Sequence, residues 1–279
     1  MKPRAALVGI LAIIAATLCS YGYASASGQE IYFGSVAMDI PAIMHKRLQP
    51  LTRYLSAGLD RHVTLKLSPN MKSAIRDISS SSVDLAYLTP VAYIKAHQDG
   101  GARLLVKTVT EGKGSFQLMI VVKDDSPIKS VADLKGSVFA FGDKAALLQR
   151  AVVVNAGIKL EDFKAYKFIG HYDNIVRGVI NGDFDAGIVK DTMAYKWQDK
   201  GIHILYTSPA LPPYNISVSK DVDEKTYKKL KDLLLRLNSR EMRHLEIINA
   251  LDVKYTGFAT VEDSEYDIVR KLIKPFEAE

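Results

Sequence analysis

The chain has 279 residues, 48% of them hydrophobic, which is enough apolar material for one large or two medium cores. Its formal net charge is +6, and it holds a single cysteine, Cys19. This mildly basic balance fits an anionic ligand and falls well short of the clustered positive footprint of a nucleic-acid binder.

Lys2 and Arg4 precede the apolar run Ala5 to Leu18, and small residues follow at Ala24-Ser25-Ala26. A basic start, a short apolar stretch and an A-x-A site read as a secretory signal peptide over residues 1–26, and hence as a periplasmic destination. The rival reading, a membrane anchor, needs about 20 apolar residues, more than the 14 of this run. Acylation of Cys19 is a further reading, poorly served by the bulky Leu18 before it. Removal of the segment takes Lys2 and Arg4, lowering the charge from +6 to +4, and takes the only cysteine. Disulfides, thiolate metal sites and cysteine nucleophiles are then excluded together.

Strand-like and helix-like segments alternate from there on. Ile31 to Val36 reads as a strand, and Pro41 to Leu59 as an amphipathic helix with Ile43, Leu48, Leu51 and Leu55 on one face. Val63, Leu65 and Leu67 alternate with polar residues, as in a half-buried strand. A short helix at Met71 to Ile78, a strand at Asp84 to Leu88 and a helix opened by Thr89-Pro90 follow. Strands at Ala102 to Thr110 and Phe116 to Lys123 flank the turn Glu111-Gly112-Lys113-Gly114. The middle third predicts strands at Ser137 to Phe141, Lys164 to Ile169, Asp185 to Val189 and Ile202 to Tyr206. Helices are predicted between them at Lys144 to Asn155, Tyr172 to Ile180 and Asp191 to Gln198, the first closed by Gly157. This alternation predicts an α/β protein with mostly parallel sheets. After a strand at Tyr214 to Ser219 the tail reads as helical, over Asp223 to Asn238, Glu241 to Asn249 and Glu262 to Ile273.

Several stretches, taken in order, resemble the phosphate/phosphite/phosphonate-binding proteins of ABC importers. They include Phe33-Gly34-Ser35-Val36 with Asp39-Ile40-Pro41, and Leu48-Gln49-Pro50-Leu51 with Tyr54-Leu55. Others are Val83-Asp84-Leu85-Ala86-Tyr87-Leu88-Thr89-Pro90 with Tyr93, and Ser130-Val131-Ala132-Asp133-Leu134-Lys135-Gly136. The last are Phe139-Ala140-Phe141-Gly142-Asp143, Gly170-His171 and Asp183-Phe184-Asp185-Ala186. The resemblance implies the type II periplasmic binding protein fold, two α/β lobes with a ligand cleft between them and a helical C-terminal part. Lobe I would be discontinuous, residues 28–116 plus 211–279, and lobe II residues 117–210. Crossing segments near Phe116 to Lys123 and Ser208 to Asn215 would act as the hinge.

Candidate ligand-binding residues lie where strands run into helices, since free N–H groups there attract anions. Tyr87, Thr89 and Tyr93 occupy one such junction, where the resemblance implies a ligand-contacting tyrosine; Tyr93 also reads as a packed helix aromatic. His171 precedes a helix and reads either as an oxyanion donor or as a cap. Asp191 reads as a partner for a ligand amino group or as a cap, and Asp39 as a weaker candidate in the first strand–helix loop. In the family, a Ser-Thr-Ser-Gly cradle follows Phe-Gly-Asp. Here Asp143 runs into Lys144-Ala145-Ala146-Leu147-Leu148, so Lys144 stands where a hydroxyl donor would be. A point charge with helix N–H groups replaces a multi-donor nest.

The expected function is an extracytoplasmic solute-binding protein that captures a small oxyanion, such as phosphonate, phosphite or phosphate, and docks on a membrane permease. The alternative is a receptor for another ligand that signals to a sensor kinase. An enzyme would need a nucleophile, metal cluster or cofactor loop; no H-E-x-x-H, P-loop or G-x-G-x-x-G after a strand occurs. No cofactor is expected, and the protein is read as a monomer without a nucleic-acid partner.

Overall fold

A computed structural model of the protein describes residues 30–35, 41–144 and 146–276. Residues 1–26, expected to be a signal segment and containing Cys19, and also Val36 and Asp39, lie outside the described residues. The chain opens with β1 (Ile31–Ser35), α1 (Pro41–Leu59), β2 (Val63–Leu67), α2 (Met71–Ser79), β3 (Leu85–Leu88), α3 (Pro90–Gly100) and β4 (Arg103–Thr110). It continues with β5 (Leu118–Lys123), β6 (Val138–Phe141), α4 (Leu147–Asn155), β7 (Ala165–Phe168), α5 (Tyr172–Asn181), β8 (Ala186–Lys190), α6 (Asp191–Trp197) and β9 (Ile202–Thr207). It returns through β10 (Asn215–Val218), α7 (Glu224–Arg236), α8 (Met242–Leu251), β11 (Tyr255–Ala259) and α9 (Asp267–Ile273).

The strands form two sheets, ordered β11-β4-β10-β3-β1-β2 and β7-β6-β8-β5-β9. Each is the spine of one α/β lobe. The expected parallel pairing holds for β1 with β2 and β3, and for β6 with β7 and β8. The other pairs are antiparallel, so the sheets are mixed. The reason lies in the crossings: β5 and β10 each follow a passage from the other lobe, and each enters the middle of its sheet against its neighbours. Phe116 and Leu211 exchange backbone hydrogen bonds, 3.0 Å and 2.8 Å, where the crossing segments run side by side.

Local chemistry sets the element ends. Asn70 Oδ1 accepts the Ser73 N–H at 2.9 Å ahead of α2, and Thr89 Oγ1 accepts the Ala92 N–H at 3.2 Å ahead of α3, with Pro90 at its first position. Gly101 closes α3 at φ 71°, the left-handed conformation that costs glycine least. In α1 the inward stripe is Met44, Leu48, Leu51, Leu55 and Leu59. Met44 takes the inward position expected of Ile43, which is exposed. Each of these side chains contributes roughly 1.5–3 kcal/mol by burial, and the stripe packs on α7 and α8.

Three further elements differ from expectation. α4 starts at Leu147 rather than Lys144; just before it the Ala146 N–H donates to the Asp143 carbonyl at 2.9 Å. The tail, expected to hold helices alone, also contains β11, an edge strand antiparallel to β4 that lies between the helices expected at Glu241 to Asn249 and Glu262 to Ile273. The last helix begins as a 3-10 turn over Asp263–Tyr266 before α9. α9 packs against α3 of one lobe and α4 of the other, so the C-terminal segment spans both.

Candidate functional site

The carboxyl ends of β3, β6, β7 and β8 open onto a cleft of about 500 Å³ between the two sheets. Thr89, ahead of α3, lines one wall, and Gly170, His171 and Tyr172, at the start of α5, line the other. Ligands in open α/β sheets collect at this end because the helix N-termini present free N–H groups there. The floor includes Thr108, Tyr214 and Tyr255. Tyr214 stacks on Tyr87 with ring centroids 5.2 Å apart, and the Tyr87 and Tyr255 hydroxyls share a hydrogen bond of 2.6 Å. Burial pushes the Tyr255 phenol up to about 12 and raises those of Tyr172 and Tyr214, so all three present neutral hydroxyls. The Thr108 hydroxyl is buried beside the Tyr255 phenol.

Lys190 supplies the charge. It ends β8 and lines the cleft, partly buried, with Nζ 5.1 Å from the centroid of the Phe116 ring. Burial lowers its pKa below the ordinary lysine range, and Asp191 and Asp252 pull it partly back. Among the described residues no carboxylate lies within 4 Å of this ammonium in an ion pair, whereas Lys254, also in the cleft, sits 3.7 Å from Glu111 Oε1. Asp143 and Asp252 face the same space.

The residues expected from the sequence are distributed unevenly. Thr89 and His171 come together in the cleft. Tyr87 is one layer behind it, its hydroxyl held by Tyr255 and its ring covered by Tyr214. Tyr93 points away from the cleft into the core between α3 and the C-terminal segment. There its hydroxyl donates to Asp263 Oδ1 at 2.5 Å and its ring meets Tyr266. Its bland reading as a packed helix aromatic is the one the placement follows. Lys144 is exposed in the turn before α4 and is absent from the described cleft lining, because the helix begins three residues later than expected. Asp191 is 7% exposed, and its carboxylate accepts the N–H groups of Gln117 at 3.0 Å and Thr192 at 2.7 Å. It borders a smaller cavity that Phe116 also lines. Asp39 lies outside the described residues.

Sequence reasoning missed Lys190, Tyr214, Asp252, Lys254 and Tyr255 as cleft residues. Lys190 carried the usual signal, a polar residue between a strand and a helix, but its neighbour Asp191 was preferred. The last three precede or open β11, whose aromatic- and Thr-containing run Tyr255-Thr256-Gly257-Phe258 was a strand signal overlooked in a tail read as helical.

Comparison with known proteins places this architecture. The family described as "ABC transporter, phosphonate, periplasmic substrate-binding protein" matches residues 33–266. The chain belongs to this family. It is therefore a periplasmic substrate-binding protein of an ABC transporter of the phosphonate/phosphate type, built on the type II periplasmic binding protein fold. Such a protein binds a small ligand and works with a membrane permease. The binding protein is 22% identical over 273 residues to the phosphate-import protein PhnD of Mycolicibacterium smegmatis, covering 88% of this chain and 85% of the relative. A Xanthomonas citri protein solved with bound ATP superposes with a TM-score of 0.74 at 18% identity, over 89% of this chain and 97% of that one. PhnD1 from Prochlorococcus marinus in complex with methylphosphonate superposes at 0.71 and 19% identity, over 90% and 99%. At these identities the structural likenesses establish the fold.

Proposed function

We propose that the cleft captures a small oxyanion such as phosphonate, phosphite or phosphate, and that closure of the lobes around it prepares the protein for its permease. The lobes are taken as residues 28–116 plus 211–279 and 117–210, hinged where Phe116 and Leu211 pair. The observation that carries the reading is Lys190, a partly buried ammonium facing the cleft with no ion pair among the described residues. Burying a charge without a partner is costly, and a ligand oxyanion removes that cost. The Thr89 hydroxyl and the N–H groups at the start of α5 with His171 supply donors around the same space. Asp191, with both carboxylate oxygens on backbone N–H groups, serves the wall rather than the ligand in this reading. Lobe closure is the established means by which such folds signal occupancy. Family membership favours transport over the alternative of a receptor reporting to a sensor kinase.

The test is a thermal-shift screen of the mature protein against phosphate, phosphite, phosphonates, sulfate, sulfonates and small carboxylates. A ligand at a hundred times its Kd stabilises by about 2.7 kcal/mol. For a chain of this size that raises Tm by roughly 5–10 °C. A shift from a phosphorus oxyanion supports the reading. Silence from all of them, with a shift from a neutral or carboxylate ligand, overturns it.

A further inference from the structure

Positive charge is concentrated on one face of the lobe that holds α1, α7 and α8. Residues 225–243 contain seven lysines and arginines against two acids, a net +5, whereas the whole chain without Lys2 and Arg4 carries +4. The remainder is therefore slightly acidic. In α7 the inward stripe Leu230, Leu233 and Leu234 is buried, and Lys225, Lys228, Lys229 and Arg236 are exposed. Arg240 and Arg243, also exposed, carry the charge across the turn into α8. Tyr54 of α1 ties the two helices together. Its hydroxyl donates to the Leu233 carbonyl at 2.8 Å, and its ring meets that of His244 edge-on with centroids 6.0 Å apart. Burial raises the Tyr54 pKa and the charges of Arg236 and Arg243 oppose the rise, which puts both beside it. Between Arg240 and Arg243, Met242 is 84% exposed.

These charges do little for the fold. Among the described residues none of Lys225, Lys228, Lys229, Arg236 and Arg240 is in an ion pair, whereas Arg243 reaches Glu241 at 3.4 Å. Lys225 lies in the first turn of α7, where the helix dipole disfavours a cation. It also precedes Lys229 by one helical turn, a like-charge spacing that destabilises a helix. The described lining of the cleft includes none of residues 225–243.

We propose that this face binds the surface of an anionic bilayer, with the lysines and arginines against lipid headgroups and Met242 inserted between them. A binding protein that serves a membrane permease gains by it, because a search over the membrane surface replaces one through the whole volume. Unpaired cations spread along a helix suit a diffuse negative field, worth about a fivefold gain in partition for each lysine or arginine near the surface. Protein–protein contacts are depleted in lysine, unlike this face. An exposed apolar side chain among cations matches the shallow insertion made by interfacial helices. The contact is independent of which ligand the cleft takes.

Sedimentation of the mature protein with phosphatidylcholine vesicles, and with vesicles of phosphatidylcholine and phosphatidylglycerol in equal parts, tests it. Partition onto the anionic vesicles should exceed that onto neutral ones by roughly a hundredfold or more, and fall at least tenfold as salt rises from about 0.1 M to about 1 M. Lys225→Gln combined with Lys228→Gln should lower it roughly 30-fold, with the ligand-free Tm held or raised. Met242→Ser should lower it roughly threefold. Lys129→Gln combined with Lys164→Gln removes the same charge from exposed positions of the other lobe, and should leave partition within about twofold. Equal partition onto neutral and anionic vesicles would make this an ordinary solvated face and overturn the proposal. So would an equal loss in the two double variants, which would reflect total charge alone. Retention by native membrane vesicles but not by vesicles of their extracted lipids would assign the face to a membrane protein, and the lipid contact would fall.

Discussion

Replacing Lys190 with Met keeps an unbranched stem against Phe116 and removes only the ammonium, so it isolates the charge. A hydrogen bond to a charged group contributes about 1.5–3 kcal/mol, so Kd for an oxyanion should rise roughly tenfold to 150-fold. The ligand-free protein should behave oppositely. Lys190 is partly buried, has no ion pair among the described residues, and its pKa is depressed by burial. Between that lowered pKa and the ordinary lysine value, the unfolded chain binds more protons than the folded one, so this residue's contribution to stability improves as pH rises. Below the lowered pKa its destabilising effect is fully present. Lys190→Met should therefore hold or raise the ligand-free Tm at neutral pH, with the gain fading under alkaline conditions. Wild-type affinity should decline with pH as Lys190 deprotonates, earlier than an ordinary lysine would dictate, and the variant should lack that alkaline limb. Calorimetric titration and differential scanning calorimetry across pH 6–10 read all three effects. Affinity within twofold of wild type, or a ligand-free Tm several degrees lower at neutral pH, would refute the reasoning.

Tyr93→Phe removes a hydroxyl that donates to Asp263, a carboxylate also held by Arg270 at 2.5 Å. Loss of about 1.5 kcal/mol should lower Tm by roughly 3–6 °C with ligand affinity unchanged in titration; a tenfold affinity loss would return Tyr93 to the site. Asp191→Ala leaves the Gln117 and Thr192 N–H groups without their carboxylate. It should cost about 1–3 kcal/mol, measured by chemical denaturation, with a far smaller effect on oxyanion affinity than Lys190→Met; the reverse ranking would make Asp191 a ligand contact.

Much of the fold was legible in the sequence because its signals are local. The Pro41 to Leu59 helix has the expected bounds, and the Thr89-Pro90 start and the strands of the middle third lie within a residue or two. Apolar period, caps and turn residues act over a few positions, and each element carries its own. Thr89 and His171 were legible for the same reason, each being a residue at a strand–helix junction of its own sheet. Strand direction was not, because β5 and β10 run against their neighbours through their route between lobes, which no local pattern records.

The site shows the same division more sharply. By itself the sequence determined which side chains were available: the mild positive charge, the lysines, the junction residues, and the run Lys144-Ala145-Ala146-Leu147-Leu148 in place of hydroxyls. Only the tertiary structure decided that Tyr93 turns to Asp263, that Asp191 is taken up by backbone N–H groups, and that Lys190 faces the cleft beside Lys254. Whether a polar group is spent on the protein or left for a ligand depends on partners far away in the chain: Tyr93 and Asp263 lie 170 positions apart, and Gln117 and Asp191 lie 74 apart. Burial and long-range pairing are properties of the packed chain, so they appear only when it folds.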